Sequence, residues 1–126
     1  MKIMMRKFFS IVLLIFIVFS LISCAKKLEY QISSTEALTA VKNYNYKNIP
    51  DLEEMVKSDD YTIYWDIVSE NENQIVVLFK SYTASMNRYY IDKKTGEAYE
   101  TVQVPGIIDD EEKTGVTLNI RDYMDK

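Results

Sequence analysis

In YTIYWDIV, Tyr61 to Val68, apolar side chains recur at every second residue, and this pattern indicates the fold class. Such alternation is typical of a strand with one buried side. The buried side would carry Tyr61, Ile63, Trp65 and Ile67. After the polar turn SENEN, the segment QIVVLFKSY, residues 74–82, would place on the same side Ile75, Val77 and Phe79. The two segments predict an antiparallel hairpin.

Polar breaks divide the sequence after residue 82 into further short strands. RYYID (88–92) and EAYETVQV (97–104) are joined by KKTG, and a last short strand, VTLNI (116–120), follows the acidic segment DDEEKTG. In the KKTG turn, Asp92 can accept hydrogen bonds from backbone amides, and Gly96 can supply the positive φ that a bulged turn requires. These short connections predict an antiparallel meander of four to five strands.

Two helices are predicted before the sheet. Ser33 and Glu36 have the spacing of a capping box, and apolar residues recur at helical spacing as far as about Asn43. A second, shorter helix would occupy residues 50–57, with Pro50 in its first turn. The apolar face of this second helix would consist of Leu52, Met55 and Val56. The predicted fold class is α+β, with one or two N-terminal helices packed on the antiparallel sheet.

The first 23 residues have the organisation of a secretory signal. Lys2, Arg6 and Lys7 precede the apolar run FFSIVLLIFIVFSLIS, and no acidic residue occurs there. The run has 16 residues, fewer than the roughly 20 that a helix needs to span a bilayer. An uncleaved signal anchor is the alternative. Either interpretation directs the remaining chain outward, because basic residues stay on the cytoplasmic side.

The single cysteine, Cys24, directly follows Leu21-Ile22-Ser23. This order resembles the lipobox of bacterial lipoproteins, in which aliphatic and small residues precede an obligatory cysteine. The resemblance implies cleavage between Ser23 and Cys24 and attachment of diacylglycerol to the Cys24 sulfur, so that acyl chains anchor the protein in the lipid bilayer. The alternative is that Cys24 closes an ordinary signal peptide. The predicted organisation is a signal peptide at 1–23, a lipidated tether at 24–32 and a single α+β domain at 33–126.

The hairpin between the third and fourth predicted strands carries a second recognisable pattern. Ile91, Asp92, two variable residues, Thr95, Gly96 and Glu97 follow one another in an order that resembles the end of a PepSY domain. The resemblance implies a helix packed on an antiparallel sheet in a cystatin-like way. It also implies a secreted or membrane-attached protein, and a restraining role such as that of protease propeptides. The alternative is a hairpin turn without a functional part.

Residue types that carry catalysis are scarce in this chain. It has no histidine, and its three glycines stand apart rather than in a phosphate loop. A nucleophile normally needs an adjacent base, so we expect no enzyme, no catalytic residue and no cofactor. The acidic run from Asp109 to Glu112 offers oxygen ligands for calcium, but it lacks the alternating spacing of an EF-hand loop. A solvated loop without a metal is the expectation.

The net charge and the aromatic content of the chain indicate which class of partner it could bind. The first 23 residues hold three of the 15 basic residues and none of the 19 acidic ones, so the remaining chain has a net charge of −7. This acidity disfavours nucleic acid as a partner. Tyrosine is enriched at protein interfaces, and the chain has ten tyrosines. The predicted partner-binding face consists of Tyr64, Tyr82, Tyr89, Tyr90 and Tyr99.

These observations predict a lipoprotein on the extracytoplasmic face of a cell membrane that acts as a non-catalytic protein-interaction or inhibitory module. Its partner would be a protein or peptide at the cell surface, bound by the tyrosine-rich sheet or by an edge strand. The alternative is a small-ligand carrier with a pocket between helix and sheet. An enzyme ranks third.

Overall fold

A helix and a five-stranded antiparallel sheet dominate the part of the chain that the structure describes, residues 31–124 of a computed structural model. Two helices come first, α1 (Ser34–Asn48) and α2 (Leu52–Lys57). The strands follow as β1 (Tyr64–Glu70), β2 (Gln74–Lys80), β3 (Met86–Asp92), β4 (Glu97–Val104) and β5 (Ile108–Asn119). A 3₁₀ turn, Ile120–Tyr123, ends this region. The predicted α+β class is confirmed, and the strands pair in the order β1-β2-β3-β4-β5.

The predicted signal peptide, the cleavage point between Ser23 and Cys24, and the lipidation of Cys24 all lie outside the described residues.

Helix α1 begins at the predicted capping box. The Ser33 hydroxyl accepts a hydrogen bond from the Glu36 backbone N–H at 3.2 Å, and the Ser33 N–H donates to the Glu36 carboxylate at 3.1 Å. The helix continues to Asn48, five residues beyond the predicted end at Asn43. Polar residues hide the helical pattern in this last part. Packing extends the helix there, because Asn45 is buried against the sheet and Tyr44 contacts the core.

Helix α2 starts later than predicted. Asp51 precedes it in a left-handed conformation (φ 63°), and the first helical residue is Leu52 rather than Pro50. The predicted apolar face is confirmed, since Leu52 is buried and Met55 and Val56 pack against the core.

One face of the sheet, which we call the helix face, packs against the helices. The buried sheet residues on this face are Ile75, Val77, Phe79, Tyr89, Ile91 and Ala98. They meet Ala37, Ala40 and Val41 of α1, and burying each large apolar side chain contributes about 1.5–3 kcal/mol. From β1, Trp65 and Ile67 join this core, as predicted. Tyr61 does not, because β1 begins only at Tyr64 and the Tyr61 side chain is exposed.

The opposite face, the open face, has no helix on it among the described residues. Two β2 residues, Val76 and Leu78, are nevertheless nearly buried there at 5% exposure each. In the register of the sheet, Val76 lies opposite Tyr90 and Leu78 lies opposite Arg88. Strand β2 is therefore buried on both sides, and only its Ile75-Val77-Phe79 side belongs to the helix-covered core.

The β3–β4 turn has the predicted geometry. The Asp92 carboxylate accepts hydrogen bonds from the backbone N–H groups of Lys94 at 2.8 Å and Thr95 at 3.0 Å. These bonds lower the pKa of Asp92, that from Thr95 most strongly. Gly96 has φ 81°, and a Cβ atom at this position would lie 2.6 Å from the Asn119 side-chain oxygen. The turn therefore requires glycine for both its backbone angle and its space.

The acidic segment is not the loop that the sequence predicts. Residues 109–115 belong to β5, which runs without interruption from Ile108 to Asn119. Its pairing with β4 shifts register between Tyr99 and Thr101 and again between Val102 and Val104. These irregularities place extra β5 residues on an exposed edge, where like charges remain solvated.

Candidate functional site

The five tyrosines of the predicted partner-binding face occupy three different environments. Tyr89 is only 1% exposed and faces the core, so its placement on a binding surface is wrong. Tyr89 shares the helix face with Ile91, two residues further along β3. Because side chains alternate along a strand, this spacing indicates that Tyr89 is buried together with Ile91. Tyr90 and Tyr99 meet on the open face, whereas Tyr64 and Tyr82 are exposed near β1.

Four exposed apolar side chains lie on the edge strand β1 or in the loops beside it, on both faces of the sheet. We call this group the β1 patch, and it consists of Tyr61, Tyr64, Val68 and Tyr82. The Tyr61 and Tyr82 rings meet edge to face with centroids 6.3 Å apart. Each member is 44–47% exposed. Among the described residues, the other large hydrophobic side chain that is exposed is Ile107, in the turn between β4 and β5.

The two edges of the sheet differ in how they are protected. Strand β5 carries a run of four acidic residues, Lys113 and two register shifts, which are features that discourage strand addition. Strand β1 carries two acidic residues, Asp66 and Glu70, but no lysine or proline, and its pairing with β2 stays regular from Tyr64 to Ile67 before a bulge. The more accessible backbone edge is therefore β1, beside the β1 patch.

The open-face tyrosines form a closed cluster with charged neighbours. The rings of Tyr90 and Tyr99 stack with centroids 4.9 Å apart, and the Lys113 ammonium lies 4.8 Å from the Tyr99 centroid. The Tyr90 hydroxyl donates to Glu111, which also accepts from the Thr101 hydroxyl at 2.7 Å. These contacts engage the two stacked rings and the Tyr90 hydroxyl, so the pair is a cross-strand packing unit.

The same contacts shift the ionisation of the pair. Burial, followed by the hydrogen bond to Glu111, raises the pKa of Tyr90 to about 12. The hydrogen bond from Tyr90, together with that from Thr101, lowers the pKa of Glu111 despite some desolvation. Beside the cluster runs a shallow groove of about 800 Å³, and its polar lining includes Asn73, Gln74 and Asn119.

A chain of hydrogen bonds crosses the interior on the helix face. The indole N–H of Trp65 donates to the Asn45 side-chain oxygen at 2.8 Å, and the Asn45 amide donates to the Tyr89 hydroxyl at 3.0 Å. That hydroxyl donates in turn to the carboxylate of Glu100. Burial, with a smaller effect of Glu100, raises the pKa of Tyr89 far above its usual range. The chain connects α1 with β1, β3 and β4.

A small cavity, which we call the polar pocket, opens where this chain ends. It lies between the last turns of α1 and the helix face of the sheet and has a volume of about 290 Å³. Its walls include Tyr44, Asn48, Tyr82, Asn87 and Glu100. No local motif marks these residues, because they come from separate elements that only the folded chain brings together.

The acidic run does not converge on one point in the structure. Glu111 is engaged by Tyr90 and Thr101, while the Asp109 carboxylate accepts from the Gly106 N–H at 3.1 Å. Within residues 31–124, no three side chains of Asp, Glu, His or Cys are grouped so that they could hold a metal ion.

Across the same residues, none of the helices is both long enough and apolar enough to cross a membrane.

Comparison with known proteins adds no assignment. No protein-family model, curated protein or solved structure matches the chain. The resemblances to bacterial lipoproteins and to PepSY domains therefore stay predictions from the sequence.

Proposed function

We propose that this protein is a bacterial lipoprotein that acts as a non-catalytic interaction module on the extracytoplasmic face of the cell membrane. The order of basic residues, apolar run and Leu21-Ile22-Ser23-Cys24 supports the anchor. Two acyl chains on Cys24 suffice for stable attachment, since each buried methylene contributes about 0.8 kcal/mol. The absence of histidine from the sequence supports a role in binding rather than in catalysis.

The observation that carries the interaction role is the β1 patch beside an accessible sheet edge. An extended segment of a partner protein can add a strand to β1 through main-chain hydrogen bonds. Tyr61, Tyr64 and Tyr82 then offer exposed aromatic anchors, and such residues supply much of the energy at protein interfaces. Capture of an extended segment is also how an inhibitory module would act on its target.

The anchor is tested by intact-mass measurement of the full-length protein purified from bacterial membranes. We expect the mass of a chain that begins at Cys24 and carries acyl groups. Cys24→Ala should lose both the acyl mass and the membrane attachment. A wild-type chain that keeps Met1, or that starts elsewhere without lipid, contradicts the anchor.

The binding surface is tested by photo-crosslinking in the bacterium that produces the protein. A photoreactive p-benzoylphenylalanine replaces Tyr64 or Tyr82 in the β1 patch, and Ile107 in the control. Ile107 is a suitable control because it is 81% exposed and lies in the β4–β5 turn. We expect the same crosslinked protein from positions 64 and 82, and none from position 107.

A charge on the edge strand sharpens this test. Lysine on an edge strand discourages strand addition, so Tyr64→Lys should abolish the crosslink formed from position 82. Ile107→Lys adds the same charge elsewhere and should leave the crosslink intact. Crosslinks of equal strength from all three positions, or none from positions 64 and 82, contradict the proposed surface.

A further inference from the structure

The polar pocket has the chemical character of a site for positive charge. Its walls combine the carboxylate of Glu100 with the partly exposed aromatic side chains of Tyr44 and Tyr82, and the nearly fully buried Phe79 and Tyr89 also line it. Among the described residues that line it, none is a lysine or an arginine. Aromatic rings attract cations through their quadrupole, and the attraction grows when the cation is partly withdrawn from water. A carboxylate in the same cavity adds a full negative charge.

No basic residue in the described part of the chain forms an ion pair with Glu100. Its carboxylate accepts a hydrogen bond from the Tyr89 hydroxyl, a neutral donor. Within the described residues, the ion pairs are Arg88 with Glu111 and Lys93 with Glu70, and Glu100 takes part in neither. The hydroxyl satisfies one acceptor position but leaves the negative charge in place. A bound cation would supply the missing countercharge.

The end of helix α1 adds to the negative potential of the pocket. Tyr44, Asn45, Asn48 and Ile49 belong to its last turns or follow them, and all four line the cavity. The C-terminal end of a helix carries the equivalent of roughly half a negative charge on its unpaired carbonyl groups. The Asn48 amide N–H donates to the Tyr44 carbonyl at 2.8 Å, which leaves the Asn48 side-chain oxygen as an acceptor.

We propose that the polar pocket binds an alkylammonium group. Its volume of about 290 Å³ lies just below the roughly 300–1,000 Å³ of typical ligand sites, which suits one trimethylammonium group or one lysine side chain. This site is separate from strand addition at β1, although Tyr82 belongs to both surfaces. Glu100 belongs to the pocket alone and Tyr64 to the β1 patch alone, so different variants test the two proposals.

Trp65 provides the signal for a binding experiment. It is the single tryptophan of the chain, and its indole N–H begins the hydrogen-bond chain that leads through Asn45 and Tyr89 to Glu100. The full-length protein in a mild detergent is titrated with choline chloride and, separately, with Nα-acetyl-lysine amide. We expect a saturable change in Trp65 fluorescence with at least one of the two cations. Whichever binds more tightly identifies the source as a free quaternary ammonium compound or a lysine side chain.

Three controls separate recognition of charge from other effects. The neutral alcohol 3,3-dimethylbutan-1-ol has the shape of choline without its charge and should give no saturable change. Glu100→Gln keeps an oxygen that can accept from Tyr89, so the fold should persist while affinity for the cation falls at least about tenfold, or 1.4 kcal/mol. Glu97→Gln removes an exposed glutamate elsewhere on β4 and should bind like the wild type.

Several results would overturn the proposal. Equal curves for choline and the neutral alcohol would show that shape or solvent, rather than charge, causes the signal. Unchanged affinity in Glu100→Gln would place any binding elsewhere. The absence of a saturable change in Trp65 fluorescence with either cation would contradict the proposed site. Crosslinks from positions 64 and 82 without saturable cation binding would remove the pocket and leave the β1 surface standing. Cation binding that depends on Glu100, without those crosslinks, would leave the pocket standing and remove the β1 surface.

Discussion

The helix face and the open face of the sheet are built from alternating residues of the same strands, but they bury side chains by different means. On the helix face, Val77 and Tyr89 are covered by α1, and the polar groups that enter this core are paired through Asn45. On the open face, Val76 is nearly as buried without any helix above it among the described residues. Side chains of the neighbouring strands shield Val76 from water, and Tyr90 of β3 lies directly opposite it in the sheet.

A low exposed fraction therefore does not by itself show that a residue belongs to the helix-covered core. Amphipathic side chains can cover apolar neighbours with their stems and rings while their polar tips stay near water. Amphipathic side chains that cover an apolar neighbour in this way can change their conformation. A residue between a helix and a sheet is packed on both sides and cannot. The two faces should therefore respond differently to the same substitution.

The largest expected contrast comes from adjacent valines of β2. Val77→Ala should lower the free energy of unfolding by about 2–3 kcal/mol, because it leaves a cavity under α1, whereas Val76→Ala should cost about 1 kcal/mol. Urea unfolding of the full-length protein, followed by Trp65 fluorescence, measures both. Equal losses would mean that the open face is packed as tightly as the helix face.

A smaller contrast is expected from the adjacent tyrosines of β3. Tyr89→Phe removes the hydroxyl that accepts from Asn45 and donates to Glu100, and leaving buried polar groups unpaired costs about 1–3 kcal/mol. Tyr90→Phe removes a hydroxyl whose partner, Glu111, is accessible to water, and should cost less than about 1 kcal/mol. The same unfolding measurement compares them. A larger loss for Tyr90→Phe would reverse the assignment of the two faces.

The smallest expected effect is a dependence on acid pH that arises on the open face. The folded state holds the pKa of Glu111 below its ordinary value of 4.5, so the unfolded chain takes up this proton first as the pH falls. The stabilisation is present above about pH 4.5 and is lost as the pH falls through the lower folded-state pKa. In Glu111→Gln, stability should fall less on acidification across this range.

Glu112→Gln is the matched control for this measurement. Glu112 is the exposed neighbour of Glu111 in β5, and it makes no side-chain hydrogen bond among the described residues. Unfolding midpoints for the wild type and both variants, measured from neutral to acid pH, decide the outcome. Parallel curves for wild type and Glu111→Gln would assign the acid sensitivity to other carboxylates.

Local signals predicted much of the fold. The Ser33–Glu36 capping box and the Asp92–Gly96 turn each depend on residues within a few positions of one another, so their chemistry can be recognised without knowledge of the rest of the chain. The alternation in β1 and β2 predicted the first hairpin for the same reason. The anchor at Cys24 also depends on a local motif, and it stays a prediction.

Predictions that depend on distant partners were less accurate. The acidic segment 109–115 resembles a loop because runs of charged residues usually lie in solvent-exposed loops. In the structure this segment pairs with β4 instead. The polar residues after Asn43 resemble the end of a helix. In the structure the helix continues, because Asn45 forms a buried hydrogen bond with Tyr89 of the sheet. The β1 patch was also only partly predicted. The sequence placed Tyr64 and Tyr82 on a binding face, but it placed Tyr61 on the buried side of a strand, and β1 begins only at Tyr64.

Local signals in the sequence account for the α+β class, the capping box, the tight turn and the candidate anchor, because hydrophobic period, side-chain capping and backbone angles act over a few residues. The folded arrangement of helix and sheet places Tyr89 in the core and Tyr90 on the open face, leaves β1 as an accessible edge, and brings Glu100 to the end of α1 in a pocket. Those outcomes depend on which face of the sheet the helix covers, and that choice is made by packing between segments that are far apart in the chain.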